Sequence, residues 1–149
     1  FCFSGCSNLQ EVRIPNSVTT LGYRCFTGCS NLTNTTFGNQ LFYVHAWAFN
    51  QALTSSTPTT VFIPSSLRTI KELGFGVLYY PEGSTLEIGS EDNLSMLQFS
   101  ENDMAPFYQN PGNQFGAVNF YSRHYDAGND LAMLKLNQAC VSGATISIV

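Results

Sequence analysis

Charge is scarce in this 149-residue chain: Asp, Glu, Lys and Arg make up 11% of it, against roughly a quarter in an ordinary folded domain. Its surface must be dressed in Ser, Thr, Asn and Gln instead, an uncharged hydrogen-bonding skin. Only six residues are Lys or Arg and the formal net charge is −4. That speaks against nucleic acid as a partner, because phosphate binding needs clustered bases. No run of about 18 apolar residues occurs, so nothing in this segment is expected to insert into a membrane. A charged-then-apolar leader is also missing, and the chain opens on Phe1 in the middle of a repeat. Such an opening is expected of a piece of a longer protein, where a missing targeting signal carries no message. What is plentiful is apolar (44%) and aromatic (13%) residues, enough for one ordered core or a short stack of repeats. The charge that exists is uneven: residues 1–75 hold four bases and two acids, residues 76–149 two bases and eight acids.

The chain repeats itself. Cys2-Phe3-Ser4-Gly5-Cys6-Ser7-Asn8-Leu9 returns as Cys25-Phe26-Thr27-Gly28-Cys29-Ser30-Asn31-Leu32, a shift of 23 residues, and Phe49 stands another 23 on. Val18 and Leu21 become Leu41 and Val44. After a three-residue insertion, Ile63-Pro64-Ser65-Ser66-Leu67 echoes Ile14-Pro15-Asn16-Ser17-Val18, and Phe75 follows Ile63 by twelve residues as Phe26 follows Ile14. A fixed period of this length means a solenoid. Within a unit, Leu9 to Ile14 alternates as a short strand with Val12 and Ile14 inward and Glu11 and Arg13 outward. Pro15 ends it, Ser17 to Gly22 forms a second extended stretch, and a helical or 3₁₀ turn through Cys25 and Phe26 closes the unit. One unit cannot bury those faces alone, whereas stacked units share a continuous column of Leu, Val, Ile and Phe.

These residues resemble the BspA-type leucine-rich repeat, a 23-residue repeat of bacterial surface proteins and some parasitic protists. The resemblance covers about residues 1–76, with a worn fourth unit reaching Ile88. Phe37-Gly38 in place of Ile-Pro, and the insertion around Leu53 to Pro58, depart from it. It implies an α/β leucine-rich-repeat solenoid, β-rich, with 3₁₀ or helical turns. It also implies a surface or extracellular location, an adhesion or binding role, and no cofactor or catalytic residue to carry over.

The expected organisation is residues 1–88 as about three and a half repeats and residues 89–149 as an irregular capping or accessory segment. Solenoid ends need an atypical unit over the last open core. In that segment Asn110 to Asn113 marks a turn, Ala117 to Tyr121 and Thr145 to Val149 read as strands, and Asp130 to Leu136 as a helix, with Leu134 to Leu136 as a competing strand. Cys2-x3-Cys6 and Cys25-x3-Cys29 approach the spacing of a structural zinc site. In the third unit the same positions are Ala48 and Ala52, so the frame favours buried free thiols, Cys6 and Cys29 among them, over metal or a cross-rung disulfide. Ser122, His124 and Asp126 alternate, but side chains two apart on a strand point in parallel, which suits a polar face better than a hydrolase triad. Glu91, Asp92, Glu101 and Asp103 offer oxygen ligands for calcium without a calcium-loop motif, so a solvated acidic loop is favoured. Asn31, Asn34 and Asn93 begin glycosylation sequons.

Three functions remain in view. The first is a non-enzymatic binding module for an extended protein or glycan ligand on a host or cell surface. Its contacts would be the outward strand positions of successive rungs: Glu11 and Arg13, Asn34 and Thr36, Thr60 and Phe62. A competing patch lies on the opposite layer at Thr19, Thr20, Phe42, Tyr43, Arg68 and Thr69. The second is a structural spacer or stalk, and the third a hydrolase resting on Ser122, His124 and Asp126.

Overall fold

The computed structural model describes residues 1–75, 77–79, 81, 83–100, 102, 106, 107, 115–123, 130–137 and 140–148. Every strand pairing in it is parallel. This is what successive turns of one coil give, because each rung runs in the same direction as the last. The first unit supplies β1 (Glu11–Ile14) and β2 (Thr20–Leu21), and the second β3 (Asn34–Phe37) and β4 (Tyr43–Val44). The third brings β5 (Ala52–Thr54), β6 (Thr60–Ile63) and β7 (Thr69–Ile70), followed by β8 (Val77–Tyr79) and β9 (Thr85–Ile88). Three walls result: β1 beside β3 with β6 beside β9, the layer β2-β4-β7, and β5 beside β8.

The interior is built on a file of aromatic rings. Phe3, Phe26, Phe49 and Phe75 stack face to face at centroid distances of 5.3, 5.2 and 5.2 Å. Phe107 continues the file at 5.9 Å, although no period announces it. The backbone follows the same frame: the amides of Phe3, Phe26, Phe49 and Phe75 donate to the carbonyls of Cys25, Ala48, Gly74 and Pro106. Phe26, Phe49 and Phe75 are buried, whereas Phe3, stacked on one side only, on Phe26, is 47% exposed. Cys6 is exposed for the same reason, which corrects its expected burial; Cys29, one rung further in, is fully buried.

Two features of the expected architecture change. The turns between strands are hydrogen-bonded turns, and among the described residues the one helix is α1 (Asp130–Asn137), so the fold is β-rich rather than α/β and its 3₁₀ turns are absent there. The tight reversals are made by left-handed residues at matching frame positions, Arg24, Trp47 and Leu73 at one corner and Gly5, Gly28 and Gln51 at the next. A left-handed residue bends the chain without the consecutive helical dihedrals that a 3₁₀ segment needs. The described residues after 88 are also more regular than expected. β10 (Phe115–Phe120) pairs with β9, and β11 (Cys140–Ile148) with β10, in the same parallel sense. Val118 and Phe120 sit buried beneath them as Leu86 and Ile88 do beneath β9, so the same inward apolar alternation carries the sheet on. The expected turn at 110–113 lies outside the described residues.

The expected ladder of three rungs is interrupted. β1 and β3 pair in register, Glu11 with Asn34 and Arg13 with Thr36, but β6 pairs with β9 and not with β3. On the neighbouring layer the same two rungs remain joined, Tyr43 beside Thr69. The split traces to the two departures from the repeat. Phe37, where its neighbours have Ile14 and Ile63, sends its ring edge-on against both Phe49 (5.9 Å) and Phe75 (5.7 Å), filling space between two rungs. The insertion supplies the slack: the Thr54 amide still reaches the Leu32 carbonyl, then Ser55–Pro58 loops away before β6 begins. Gly38 belongs to the same adjustment. A Cβ there would stand 2.6 Å from the Pro15 carbonyl oxygen, so only glycine lets the second rung press this closely on the first.

Candidate functional site

The outward positions of the strand wall form one polar face. Glu11, Arg13, Asn34, Thr36, Thr60 and Phe62 are all exposed, as the alternation requires. Arg13 Nε reaches Glu11 Oε1 at 3.5 Å, with both side chains well exposed, so the pair orients two side chains without adding much stability. Across the break Phe62 is 67% exposed, a large apolar area for a residue on a strand. The face continues where no repeat signalled it. Phe62 is in register with Glu87, and Glu87 with Asn119, whose amide donates to Glu87 Oε1 at 2.7 Å. The clue available in sequence was the alternation of Thr85-Leu86-Glu87-Ile88, which puts Glu87 outward.

Between the two halves of this wall runs a groove of about 240 Å³, lined by Thr33 and β3, by Thr59 and Thr60 to Phe62 of β6, and by the buried Leu53. A second hollow of about 280 Å³ adjoins it along Thr35 to Phe37 and Phe62 to Pro64. Thr35 occupies an inward position that is valine in the adjoining frames, Val12 and Val61. Its hydroxyl is shielded from solvent and has no hydrogen-bond partner. Of the six expected contact residues, the structure brings Asn34, Thr36, Thr60 and Phe62 to this groove and leaves Glu11 and Arg13 beside it.

The competing layer is also partly open. Phe42 is 44% exposed, and a shallow hollow of about 310 Å³ is lined by Thr19, Phe42, Arg68 and Met96 among others. Tyr43 packs its ring on His45 at 4.7 Å. At the corner, Arg24 lies over the rings of Tyr23 (5.2 Å) and Trp47 (4.9 Å). No single position in the repeat encoded that pairing, because the Arg and the Trp share a frame position one rung apart.

The remaining candidates have less to join. Burial pushes the Cys25 thiol up to about 11 and raises that of Cys29 as well, so both hold their protons at neutral pH. Cys29 Sγ donates to the Phe3 carbonyl at 3.1 Å. Ser122 is buried and bridges to Ser95, while His124 and Asp126 lie outside the described residues. Glu91 and Asp92 are exposed in a turn closed by Ser90 and Asn93, and Glu101 and Asp103 are likewise outside the described residues.

The residues that built this coil are also those of a known repeat. Residues 1–79 match the family model described as the BspA type leucine rich repeat region (6 copies). The chain belongs to the BspA-type leucine-rich repeat family. It is thus a repeat module of a kind common in surface-associated proteins. No curated protein and no solved structure matches the chain.

Proposed function

We propose that the protein is a non-enzymatic binding module, an adhesion-type unit of a surface or secreted protein, and that its strand wall is the face that meets an extended protein or glycan ligand. The observation that carries this reading is the exposed ring of Phe62, held on a rigid strand at the lip of a groove and flanked by uncharged hydrogen-bonding side chains. An aromatic residue fixed beside adaptable polar groups is the usual anatomy of a binding hot spot and its surroundings. On the β1–β3 half Arg13 is paired with Glu11, whereas beyond Phe62 Glu87 adds a negative charge beside Asn119. The face is therefore neutral at one end and negative at the other, a difference that would bias the direction of a long ligand.

Arrays of extended peptides and of glycans, probed with the purified chain, test the reading. Binding that Phe62→Ala weakens and Phe42→Ala does not is the expected result. Loss with Phe42→Ala alone would move the site to the opposite layer. Absence of any specific ligand on either array would favour a spacer role.

A further inference from the structure

The break in the strand wall leaves two strand edges facing each other, and the backbone hydrogen bonds identify what each edge offers. The Asn34 amide donates to Gln10, so Asn34 and Thr36 turn their backbone groups toward β1. By the alternation of a strand, Thr35 and Phe37 turn theirs the other way, toward β6. On β6, the carbonyls of Thr59 and Ile63 accept from Thr85 and Gly89, so the groups of Thr60 and Phe62 turn back toward β3. Four residues thus present backbone donors and acceptors to the groove, and no pairing joins the two edges. Backbone groups in a folded protein are nearly always paired, and a row left open is a template for another strand.

We propose that this seam accepts an extended polypeptide segment of a partner, seated between β3 and β6 as an added parallel or antiparallel strand. The proposal rests on the strand wall being the binding face and names its ligand class. Donors and acceptors on both walls, recurring at every second residue as on any strand edge, are complementary to the edge of an extended peptide backbone. The seat would join β1-β3 to β6-β9-β10-β11 as one continuous sheet. It lies between the Thr54 amide on Leu32 and the Ser66 hydroxyl on Leu41, and the flanking strands β3 and β6 are four residues each, so the guest strand is about four residues long at about 3.3 Å each. Seating a strand needs the edges about 9.5 Å apart, twice the ordinary spacing. The Ser55–Pro58 loop, which follows the Thr54–Leu32 bond, is the segment that would let β6 stand off by that much, while β4–β7 and the Phe49–Phe75 stack hold the far wall at one rung.

The seam also sets specificity. Side chains of the guest that point inward meet Thr35, Val61 and the Phe37 ring, with Leu53 below, so they must be small. A serine there would give the Thr35 hydroxyl the partner it lacks. Side chains that point outward lie beside Phe62 and Thr36 and are free to be large.

The test uses residue-resolved amide exchange of the whole chain with a synthetic peptide of residues 83–90 carrying Leu86→Ser and Ile88→Ala. The parent sequence already forms a strand parallel to β6 on its other edge. At saturating peptide, exchange at Thr35, Phe37, Thr60 and Phe62 should slow at least tenfold, a copy with N-methylated backbone should have no such effect, and Thr35→Val should weaken binding severalfold. Unchanged exchange at those four amides overturns the proposal. A parallel arm with a mixture of neutral oligosaccharides separates the two claims. If sugars shift Phe62 and Thr36 while the peptide slows nothing, the binding face stands and the strand seat falls; if neither probe perturbs this wall, both fall.

Discussion

Replacing Phe49 with alanine removes the ring at the centre of the stacked file, and its cost follows from its surroundings. The side chain is fully buried, stacked at 5.2 Å on both Phe26 and Phe75 and touched edge-on by Phe37 at 5.9 Å. Losing its transfer free energy costs about 2–3 kcal/mol. A cavity between two rungs that are hydrogen-bonded on the β4–β7 layer cannot collapse fully, and the lost ring pairs add to it, so a total near the top of the range of about 3–5 kcal/mol is expected. Phe3 provides the comparison: it is 47% exposed, has one stacked partner and leaves a notch that water fills, so Phe3→Ala should cost only about 1 kcal/mol. Urea melts read by Trp47 fit this question, because the single tryptophan lies in the same rung as Phe49. A solenoid can lose its end rung first. The Trp47 signal reports the middle of the stack and not the fraying end. A cost below about 2 kcal/mol for Phe49→Ala, or equal costs for the two variants, would refute a file that is closed at its centre and open at its end.

Thr35→Val should leave the fold intact or stabilise it by about 0.5–1 kcal/mol, since it removes a buried hydroxyl without a partner and restores the valine of the adjoining frames; a clear loss in a thermal melt would mean that the hydroxyl is satisfied. Gly38→Ala should destabilise by about 1–3 kcal/mol, because its Cβ would meet the Pro15 carbonyl and Asn16 backbone, a cost that urea titration can measure. Arg13→Ala should change the melt by less than about 0.5 kcal/mol. In native protein Cys2 and Cys6 should alkylate quickly while Cys25 and Cys29 resist, read by mass spectrometry. Because burial raises the Cys25 pKa to about 11 from about 9.0, the folded state holds a proton that the unfolded chain releases. Its contribution to stability is therefore complete below pH 9 and declines as pH rises toward 11, and Cys25→Ala should flatten that decline in alkaline melts.

The rungs were legible because a repeat states the same packing problem several times. Spacing alone put Phe26, Phe49 and Phe75 in one file, Val12 and Ile14 inward, and Glu11 and Arg13 outward. The join between rungs two and three was not legible, although both of its causes were visible as departures: whether Phe37 stays in its own rung or wedges against the next is decided by the space around Phe75, which no local pattern encodes. Phe107 joins the file through a backbone bond from Phe75 to Pro106, at a spacing unlike the others. Asn119 reaches the outer face of the strand wall only because β10 pairs with β9. Exposure of Phe3 and Cys6 depends on whether a further rung stacks on theirs, a property of the stack and not of the unit.

The open seam is the feature on which the binding account turns, and amide exchange in the free protein tests it most directly. Asn34 and Thr36, bonded to β1, and Val61 and Ile63, facing β9, should exchange slowly. Thr35, Phe37, Thr60 and Phe62, in the same two strands and turned to the groove, should exchange at least a hundredfold faster. Comparable slow exchange at all eight amides would mean that β3 and β6 are paired and the wall is continuous, and the binding seat between them would not exist.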